Sequence, residues 1–548
     1  MDTTSLFKGL PTPTVTALAE NAVLYRVPDG GKVAFDTLYG RLLASGASLY
    51  TGNTLDGNVF VTLTAENEKY TLYHTLCDGA VRLVTEPLRA LFPRACDNTY
   101  QAVTSPLLTQ LKLAYIKADC GMSYLLRLCD GRFVVIDGGY TDYEETERLL
   151  DHLREQNILA GKPVIAAWFF THPHDDHIGT FVELCEKYPD EVIVERAVYN
   201  FAEPALNPTC PVPSLEAFRK VQAAKSDTAF LIARAGEVFH LADAVFTVLA
   251  TCDDYAPGTV RNCNDTSLIM RNDFHGRTVL WLGDGMKAEA DIVTARYTKE
   301  TLQCEFLQVG HHGYDGGSPT LYVEADPRVL LWPCPDFWYP SIRLWASNDF
   351  IRTSPHVRHI FLSGHGDSVT DMTKDAAETV YLPDYGLPYA LDLTGTRRVV
   401  DLDFESATGG STGFVPTRFA FGEDENGKFV SMTADGKSVP GLLRGIRLAK
   451  AQTVAVTLTM ACEGAVGVMV NNLTATVEKP ETVFPAFADD AVHTYKLVID
   501  RANATVSLAA DGGKGEIKTF DRIEDAGLFL VLENAAVRLY ALTAEAGK

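Results

Sequence analysis

The prediction of the fold starts from the stretch Thr171-His-Pro-His-Asp-Asp-His-Ile-Gly179. The apolar run before it, residues 163–170, is typical of a buried strand, and residues 180–187 after it favour a short helix. Three histidines and two aspartates therefore stand where a strand gives way to a helix. Pro173 stiffens this loop, and Gly179 allows the following helix to approach closely.

Four residues of this loop have the side chains of metal ligands. In an extended segment, side chains two positions apart point the same way, so His172 and His174 can reach one point in space. Asp176 and His177 come after the chain has begun to turn and can face a second point nearby. Imidazole nitrogen and carboxylate oxygen are ligands of zinc, and also of iron and manganese. The alternative is a polar loop that is merely rich in histidine.

Length and charge limit the classes of protein to consider. The chain has 548 residues, which is too many for one hydrophobic core and predicts two to four domains. It carries 48 basic and 71 acidic residues, and its formal net charge is −23. A protein that follows a nucleic-acid backbone needs a basic face, so we expect no nucleic-acid partner. A small-molecule or glycan-linked substrate is expected instead, and a homo-oligomer is left open.

Cysteine usage and hydropathy bear on localisation. The eleven cysteines form no Cys-x-x-Cys pair, and an odd number of scattered thiols fits a reducing compartment. The N-terminus lacks a basic segment followed by a long apolar run, and no stretch has the ~18 uninterrupted apolar residues of a membrane span. The sequence thus predicts a cytoplasmic protein with free thiols and no membrane association.

Three units are predicted along the chain, and the fold class is multi-domain α/β. Residues 1–105 contain alternating strand patterns and one helical segment, which indicates a small α+β module without an assigned function. Residues 106–395 alternate strands with helices and contain the histidine loop. Residues 396–548 contain alternating strands separated by Gly, Asp and Asn turns, which is typical of a β-sandwich.

Further ligand-type residues also stand at the ends of predicted strands. Asp137 and Asp284 each end an apolar strand before glycine, and His311 and His312 follow another strand. In an α/β sandwich the site lies where such strand ends meet, so we expect these side chains to lie near the histidine loop. One of the two adjacent histidines should bind metal and the other should line the pocket, but the spacing leaves open which.

These motifs resemble those of a known family. The pattern His-x-His-x-Asp-His over residues 172–177 is similar to the signature of the metallo-β-lactamase fold family. The motifs at 264–268, 282–285 and 309–313 narrow the resemblance to the branch that includes competence-type proteins and phosphorylcholine esterases. The resemblance covers about residues 111–390 and implies a central αββα sandwich.

The resemblance also implies roles for the site residues. It places one metal on His172, His174 and Asp284, and makes Asp284 the bridge to a second metal. Asp137 is implied to hydrogen-bond a ligand histidine from behind. The second metal would be held by Asp284 together with Asp176, His177 and one of His311 and His312. The implied cofactor is Zn²⁺, one ion or two, with iron or manganese as alternatives.

The sequence departs from the broader family at one ligand position. Many members place a further histidine between the histidine loop and the bridging aspartate. Here the Asn262–Ser267 region occupies that position and contains no histidine. The first metal is therefore expected to rely on Asn264, Asp265 or water, and the occupancy of both metal positions is left open.

The residues after the ligands predict a substrate pocket. Trp338 and Tyr339 offer a stacking surface, and Arg343 offers a contact for an anion. The alternative is a set of core aromatics beside a solvated basic face. His365 stands at a strand end between glycines and could donate a proton or hold substrate, with a role in a turn as the alternative.

The last unit also carries a resemblance. Residues 493–508 resemble the paired strands of concanavalin-like lectin and laminin-G-like sandwiches. That resemblance implies sugar binding as one role for the unit. Packing or contacts between subunits are the alternative.

The motifs together predict a metal-dependent hydrolase. A metal lowers the pKa of its bound water, and the resulting hydroxide attacks an ester-type centre while Asp176 orients the nucleophile. The resemblance implies a phosphodiester or phosphate ester of a small molecule as substrate. The alternatives are a lactone, thioester or amide substrate for the same fold, and a non-catalytic binding protein with a vestigial metal site.

Overall fold

The structure is a computed structural model that describes most of the chain. The described residues are 3–111, 122–140, 145–204, 207–255, 262–334, 342, 345–352, 354, 356–357, 359–363, 367–373, 389–390, 418–438, 441–447, 453–472, 483–520, 523 and 525–547.

The N-terminal module is an antiparallel sheet with a helix on one face. Its elements are α1 Thr3–Leu6, β1 Thr14–Ala17, β2 Val23–Val27, α2 Gly31–Ala44, β3 Ser48–Leu55, β4 Asn58–Ala65, β5 Glu68–His74 and β6 Val81–Pro87. The strand order is β1-β2-β6-β5-β4-β3. Helix α2 buries Phe35, Leu38 and Leu42 against this sheet, so the module has a core of its own.

The first sheet of the central domain carries the histidine loop. Its strands are β7 Leu107–Gln110, β8 Ser123–Arg127, β9 Phe133–Asp137, β10 Val164–Phe169, β11 Ile193–Val194, β12 Arg196–Tyr199, β13 Ala229–Ile232 and β21 Ser368–Asp371. The order is β13-β12-β10-β9-β8-β7-β21, and β11 also pairs with β10. Strands β9, β10, β12 and β13 are parallel, so their carboxyl ends lie at one edge of the sheet.

The second sheet of the central domain follows the chain from strand to strand. Its strands are β14 Val238–Leu241, β15 Ala244–Ala250, β16 Ile269–Phe274, β17 Arg277–Trp281, β18 Phe306–Gln308, β19 Val329–Trp332 and β20 His359–Leu362. Strands β17 to β20 are parallel, so the segments after β17 and β18 leave the sheet at the same edge.

Helices cover the outer faces of both sheets. They are α3 Glu145–Gln156, α4 Asp175–Lys187, α5 Val212–Ala224, α6 Lys287–Arg296, α7 Lys299–Leu302, α8 Pro319–Ala325 and α9 Ala346–Arg352. Strand β9 shows how the layers arise: Val134 and Ile136 face the second sheet, whereas Phe133 and Val135 face the helices. The domain is therefore an αββα sandwich, and the predicted fold class is confirmed.

The C-terminal part is all-β, as predicted. Its strands are β22 Tyr389–Ala390, β23 Arg418–Asp424, β24 Gly427–Ser438, β25 Gly441–Arg447, β26 Thr453–Asn472, β27 Val483–Pro485, β28 Val492–Asp500, β29 Thr505–Ala510, β30 Glu516–Thr519 and β31 Asp525–Gly547. Strands β26 and β31 pair along almost their whole length, and the described strands enclose one hydrophobic core. Strand β22, predicted to belong to the central unit, pairs with β31.

A buried ionic cluster joins the N-terminal module to the central domain. Lys69 Nζ lies 3.2 Å from Glu86 Oε1 and 2.7 Å from Glu237 Oε1. Arg234 reaches back to Glu86 Oε2 at 2.8 Å and to Asp253 Oδ2 at 2.6 Å. All five side chains are buried, so each charge depends on its partners for compensation.

Two local predictions differ from the structure or lie outside it. The helix expected over 180–187 begins five residues earlier, because α4 starts at Asp175. Two aspartates in the first turn favour this earlier start, since carboxylates stabilise the positive end of the helix dipole. The strand predicted over 111–118 lies outside the described residues apart from Leu111.

Candidate metal centre

The histidine loop leaves the end of β10 and crosses to the second sheet. The amide of Leu268 donates to the carbonyl of Thr171 at 2.8 Å, which fixes the start of the loop. His172 is fully buried, and its Nε2 atom lies 2.9 Å from Nδ1 of His174. The structure thus brings the two imidazoles to one point, in the arrangement expected for side chains two positions apart.

The carboxylate of Asp137 holds the loop from behind. Its Oδ1 accepts the amide of Thr171 at 2.8 Å, and its Oδ2 accepts the Thr171 hydroxyl at 2.8 Å. The same Oδ2 lies 2.9 Å from Nδ1 of His177, in the first turn of α4. This contact directs Nε2 of His177 towards the centre of the site. The role of Asp137 beside a bound ion stays a prediction.

Asp284 comes from the segment after β17 and lies between the imidazoles. Its Oδ1 is 3.3 Å from Nε2 of His177 and 3.4 Å from Nε2 of His312. Its Oδ2 is 3.6 Å from Nε2 of His172 and 3.9 Å from Nε2 of His311. The two oxygens of one buried carboxylate therefore face two different sets of nitrogen atoms.

These side chains form two overlapping groups of potential ligands. In the first group, donor atoms of His172, His174 and Asp284 all lie within 4.8 Å of one another. In the second group the same limit holds for four residues, which are Asp176, His177, Asp284 and His312. Because Asp284 belongs to both groups, the described residues could hold two ions that share one carboxylate.

The histidine pair lies on a tight turn after β18. His311, His312 and Gly313 all have positive φ angles, of 47°, 53° and 91°. Trp332 Nε1 donates to the His312 carbonyl at 3.0 Å, and Asn348 Nδ2 donates to the Gly313 carbonyl at 2.6 Å. The His312 ring is held as well, since its Nδ1 lies 2.8 Å from the carbonyl of Pro333.

Asn264 and Asp265 have different neighbours. Asn264 Nδ2 lies 2.8 Å from Nε2 of His311, at the edge of the first group. Asp265 instead caps helix α6, because its Oδ1 accepts the amides of Met286 at 3.1 Å and Glu289 at 3.4 Å. Of the two residues named for the missing ligand position, Asn264 is thus the one in contact with the candidate ligands.

Burial and mutual attraction set the protonation states at the site. Burial lowers the pKa of His172 well below its usual range and lowers that of His174, which favours the neutral imidazoles that bind metals. Burial would raise the pKa of Asp284, but the His177 imidazole and its neighbours hold it well below the usual range. Burial opposes charge on His177, yet the carboxylates of Asp284 and Asp176 raise its pKa.

Two buried atoms test whether the residues fit a metal ion. Among the described residues, His177 Nε2 and Asp284 Oδ1 are inaccessible to solvent and, although they lie 3.3 Å apart, neither makes a hydrogen bond of suitable geometry. Buried polar atoms without a partner are costly, and metal coordination is one way to satisfy them. Nitrogen and carboxylate oxygen are also the ligand types of zinc, so the residues fit such an ion.

The predicted pocket residues lie outside the described part of the chain. These are Trp338, Tyr339, Arg343 and His365. Two aromatic residues lie beside the site: Tyr314, which was not singled out from the sequence, and Trp345, which belongs to the tryptophan-rich segment expected to line the pocket. The Tyr314 ring is 5.8 Å from that of His311, and the Trp345 ring is 6.1 Å from that of Tyr314. The one sequence signal for Tyr314 is its position directly after the histidine turn.

The prediction that all cysteines are free thiols is wrong at one pair. Cys210 and Cys263 form a disulfide, and Cys263 directly precedes Asn264 at the edge of the site. Sequence spacing could not reveal this pair, because the two cysteines are 53 residues apart and are joined only by the fold. As for membranes, the helices of the described residues are too short or too polar to cross a bilayer.

Comparison with known proteins gives a family match and distant structural similarities. The metallo-β-lactamase superfamily model matches residues 120–213, which include the histidine loop. The metallo-β-lactamase fold protein YhfI from Bacillus subtilis is 14% identical over 47% of this chain and 96% of its own, with a TM-score of 0.30. CmlA, a diiron β-hydroxylase from Streptomyces venezuelae, is 12% identical over 49% of this chain and 54% of its own, with a TM-score of 0.32.

A further solved structure gives a weaker similarity. The carbohydrate recognition domain of Emp46p is 9% identical over 29% of this chain and 97% of its own, with a TM-score of 0.21. No curated protein matches the sequence. The αββα sandwich, its two ligand groups and the match over residues 120–213 lead to one assignment: the chain contains a metallo-β-lactamase superfamily domain.

Proposed function

We propose that the protein is a metal-dependent hydrolase. The observation that carries this proposal is the position of Asp284, whose two oxygens face two groups of potential ligands. A carboxylate shared in this way suits a centre of two ions, which can act on the attacking and the leaving oxygen of a displacement. Zn²⁺ is the proposed ion, because its preferred ligands are those present.

The protein residues would divide the work around such a centre. A bound zinc ion would supply Lewis acidity, which lowers the pKa of a coordinated water towards neutrality. Asp137 holds His177 in place through Nδ1, so that Nε2 is kept for the ion. Asp176 is the most accessible of the second group, and its carboxylate could accept the proton of an attacking water.

We further propose a phosphodiester or phosphate ester of a small molecule as substrate. The support is the resemblance of the motifs at 264–268, 282–285 and 309–313 to the phosphorylcholine-esterase branch, and it is an argument by analogy. Tyr314 and Trp345 would form an aromatic wall beside the site, because their rings lie next to His311 and to each other. Trp345 is 40% exposed and so accessible to a substrate. A glycan-linked small molecule falls within the same proposed substrate class.

The test compares turnover before and after removal of metal. Protein purified without added metal is assayed on a chromogenic phosphodiester, then treated with a chelator, and then supplied with zinc. We expect turnover to be lost on chelation and restored by zinc. The Asp284→Asn variant should lower kcat/KM by at least ~100-fold, because the shared ligand loses its charge.

The control for this variant is Asp273→Asn, which changes a carboxylate near the end of β16 whose Oδ1 accepts the amide of Gly276. Turnover that survives complete chelation would contradict the metal-dependent mechanism. If the protein hydrolyses a lactone, thioester or amide but no phosphodiester, only the proposed substrate class is contradicted.

Cytoplasmic localisation also remains a proposal, and the disulfide weighs against it.

A further inference from the structure

We infer that the two adjacent histidines of the turn serve different ions: His312 belongs to the second group, and His311 supplies a nitrogen ligand to the first. This inference rests on the proposed metal centre and assigns a ligand within it. It replaces the expectation that only one histidine of the pair binds metal. It also supplies the first group with a fourth protein ligand, equal to the number in the second group.

The distances from the two carboxylate oxygens of Asp284 assign His311 and His312 to different groups. Oδ1 of Asp284 is the oxygen near His312, at 3.4 Å, and the second group includes this histidine. Oδ2 is the oxygen near His311, at 3.9 Å, and the same oxygen lies 3.6 Å from His172. Each carboxylate oxygen therefore has one histidine of the pair and one histidine of the loop as neighbours.

The backbone of the turn separates the two rings. With His311 and His312 both in the left-handed region, their ring centroids are 6.3 Å apart and their planes differ by 59°. Left-handed conformations are unfavourable at non-glycine residues and persist where the surroundings hold them. The amide of His311 is held by the carbonyl of Gly283 at 3.0 Å, directly beside Asp284.

Asn264 holds the His311 ring next to the first group. The backbone carbonyl of Asn264 accepts a hydrogen bond from the Ser267 hydroxyl at 2.8 Å. The oxygen of that hydroxyl accepts one from the backbone amide of Asp284 at 3.1 Å. One chain of hydrogen bonds thus fixes Asn264, and through it His311, relative to the shared carboxylate. Among the described residues, Oδ1 of Asn264 and Nδ1 of His311 are buried without a hydrogen-bond partner.

The approach of His311 is close enough for coordination after a small rotation. Zinc bonds of ~2.0–2.2 Å in tetrahedral geometry place neighbouring ligand atoms about 3.4 Å apart. Nε2 of His172 lies 3.6 Å and Nε2 of His311 lies 3.9 Å from Oδ2 of Asp284. His311 is not a member of the first group, whose donor atoms all lie within 4.8 Å of one another. The Nε2 lone pair now directed at Asn264 would turn towards the ion.

The experiment counts ions in variants of the full chain by elemental analysis and by titration with zinc. His311→Asn and His312→Asn are suitable, because Asn tolerates the left-handed backbone and is too short to reach the ion. His275→Asn is the matched control, since His275 also has a positive φ, of 54°, and is exposed on a turn. Circular dichroism checks that each variant is folded.

We expect wild type and His275→Asn to bind two ions. His311→Asn should keep one ion and bind the other at least ~100-fold more weakly, which exceeds the loss typical of residues behind the ligands. Combining His311→Asn with His172→Asn should still leave one ion, because both would serve the same position. Combining it with His312→Asn should leave none.

Several outcomes would overturn the inference. If His311→Asn binds two ions with unchanged affinities, His311 is not a ligand, although the hydrolase proposal stands. If wild type binds one ion only, the division of the pair between two ions is wrong. If wild type binds no zinc, iron or manganese, this inference and the proposed function both fail.

Discussion

Three residues around the centre adopt backbone conformations that their side chains disfavour. Asp137, His311 and His312 have φ angles of 53°, 47° and 53°. Each conformation costs about 1–3 kcal/mol, so hydrogen bonds from neighbouring segments must hold it. Asp137 is held by Thr171, and the His312 carbonyl is held by Trp332. Two of these strained residues carry candidate ligand atoms, and Asp137 supports the candidate ligand His177 from behind.

Replacing Asp137 by Asn should weaken metal binding while the fold is kept. Asn tolerates the left-handed backbone, but its amide nitrogen would face Nδ1–H of His177 or the Thr171 donors. We expect the affinity for the second ion to fall 10–100-fold, as for other residues that support metal-bound histidines. Zinc titration against a competing chelator measures this change.

The Asp273→Asn variant should leave the same affinity unchanged, since Asp273 lies near the end of β16 and its carboxylate bonds to the amide of Gly276 in the following turn. An Asp137→Asn protein that binds zinc as tightly as wild type would contradict the supporting role of Asp137.

Most of the candidate ligands could be predicted individually from the sequence. The spacing of His172 and His174 in an extended segment predicted that they meet, and the structure brings them within 2.9 Å. The partner of Asn264 could not be predicted, because His311 lies 47 positions away on another strand end. Assigning His311 and His312 to different groups required the left-handed turn, which no side-chain pattern in the sequence predicts.

At the scale of elements, the histidine turn depends on the close approach of a glycine to an indole. Gly313 has φ of 91°, and a Cβ atom there would lie 2.6 Å from Nε1 of Trp332. That indole donates to the carbonyl of His312, so a clash would displace the ligand-bearing turn. Gly276 has a similar φ of 82°, but a Cβ atom there would meet nothing within 4 Å.

The pair Gly313→Ala and Gly276→Ala therefore separates backbone strain from the clash. Gly276→Ala should lower the free energy of unfolding by about 1–2 kcal/mol, because Ala disfavours the left-handed region. Gly313→Ala should cost more and should also weaken zinc binding, since His312 moves with its turn. Denaturant unfolding and zinc titration measure both effects, and equal losses with unchanged zinc affinity would contradict the role of the turn.

The disulfide is a second feature at the scale of elements. Cys210 lies before α5 and Cys263 lies in the short turn before β16, so the bond ties two connections together over 53 residues. Closing a loop of this length stabilises a protein by about 2–4 kcal/mol. We expect a reducing agent to lower Tm of the wild type and to leave Tm of Cys263→Ser unchanged.

Alkylation of the unfolded, unreduced protein counts the cysteines that are held in a disulfide. Two cysteines should stay unmodified, and mass spectrometry should identify them as Cys210 and Cys263. The exposed Cys77 serves as the control, because its substitution by Ser should not alter the response to reduction. Full modification of every cysteine would contradict the bond.

At the scale of the whole molecule, the sandwich was predictable and the junction between units was not. Apolar strands, each followed by ligand-type residues, indicated an α/β sandwich with its site at the strand ends, and the resemblance to the metallo-β-lactamase fold implied the αββα arrangement. The ionic cluster that includes Lys69, Glu86 and Arg234 joins residues far apart in sequence. Nothing in the local pattern around any of them predicts its partner.

This cluster makes stability depend on pH through Glu86. Burial alone would raise the pKa of Glu86, but Arg234 and Lys69 lower it from 4.5 to about 2. A carboxyl with a lowered pKa in the folded state contributes stability above its unfolded value and loses it as pH falls. The stabilisation is therefore complete above about pH 5 and declines between pH 4.5 and 2.

Glu86→Gln should lower the free energy of unfolding at neutral pH by about 3–5 kcal/mol, because it leaves buried cations uncompensated. Denaturant unfolding between pH 7 and 3 should show the difference from wild type shrinking as pH falls. Glu516→Gln, which changes an exposed carboxylate paired with the half-buried Lys518, should stay within about 1 kcal/mol of wild type throughout. A Glu86→Gln difference that is independent of pH would contradict the charged state of Glu86.

The central claim is that Asp284 lies between two metal ions. Crystals of the full chain grown with zinc, with diffraction recorded at the zinc absorption edge, test it most directly. We predict two anomalous peaks about 3.5–4 Å apart on either side of Asp284. One should lie beside His172 and His174, and the other beside His177 and His312. A single peak at this carboxylate, or none with zinc, iron or manganese, would contradict the claim.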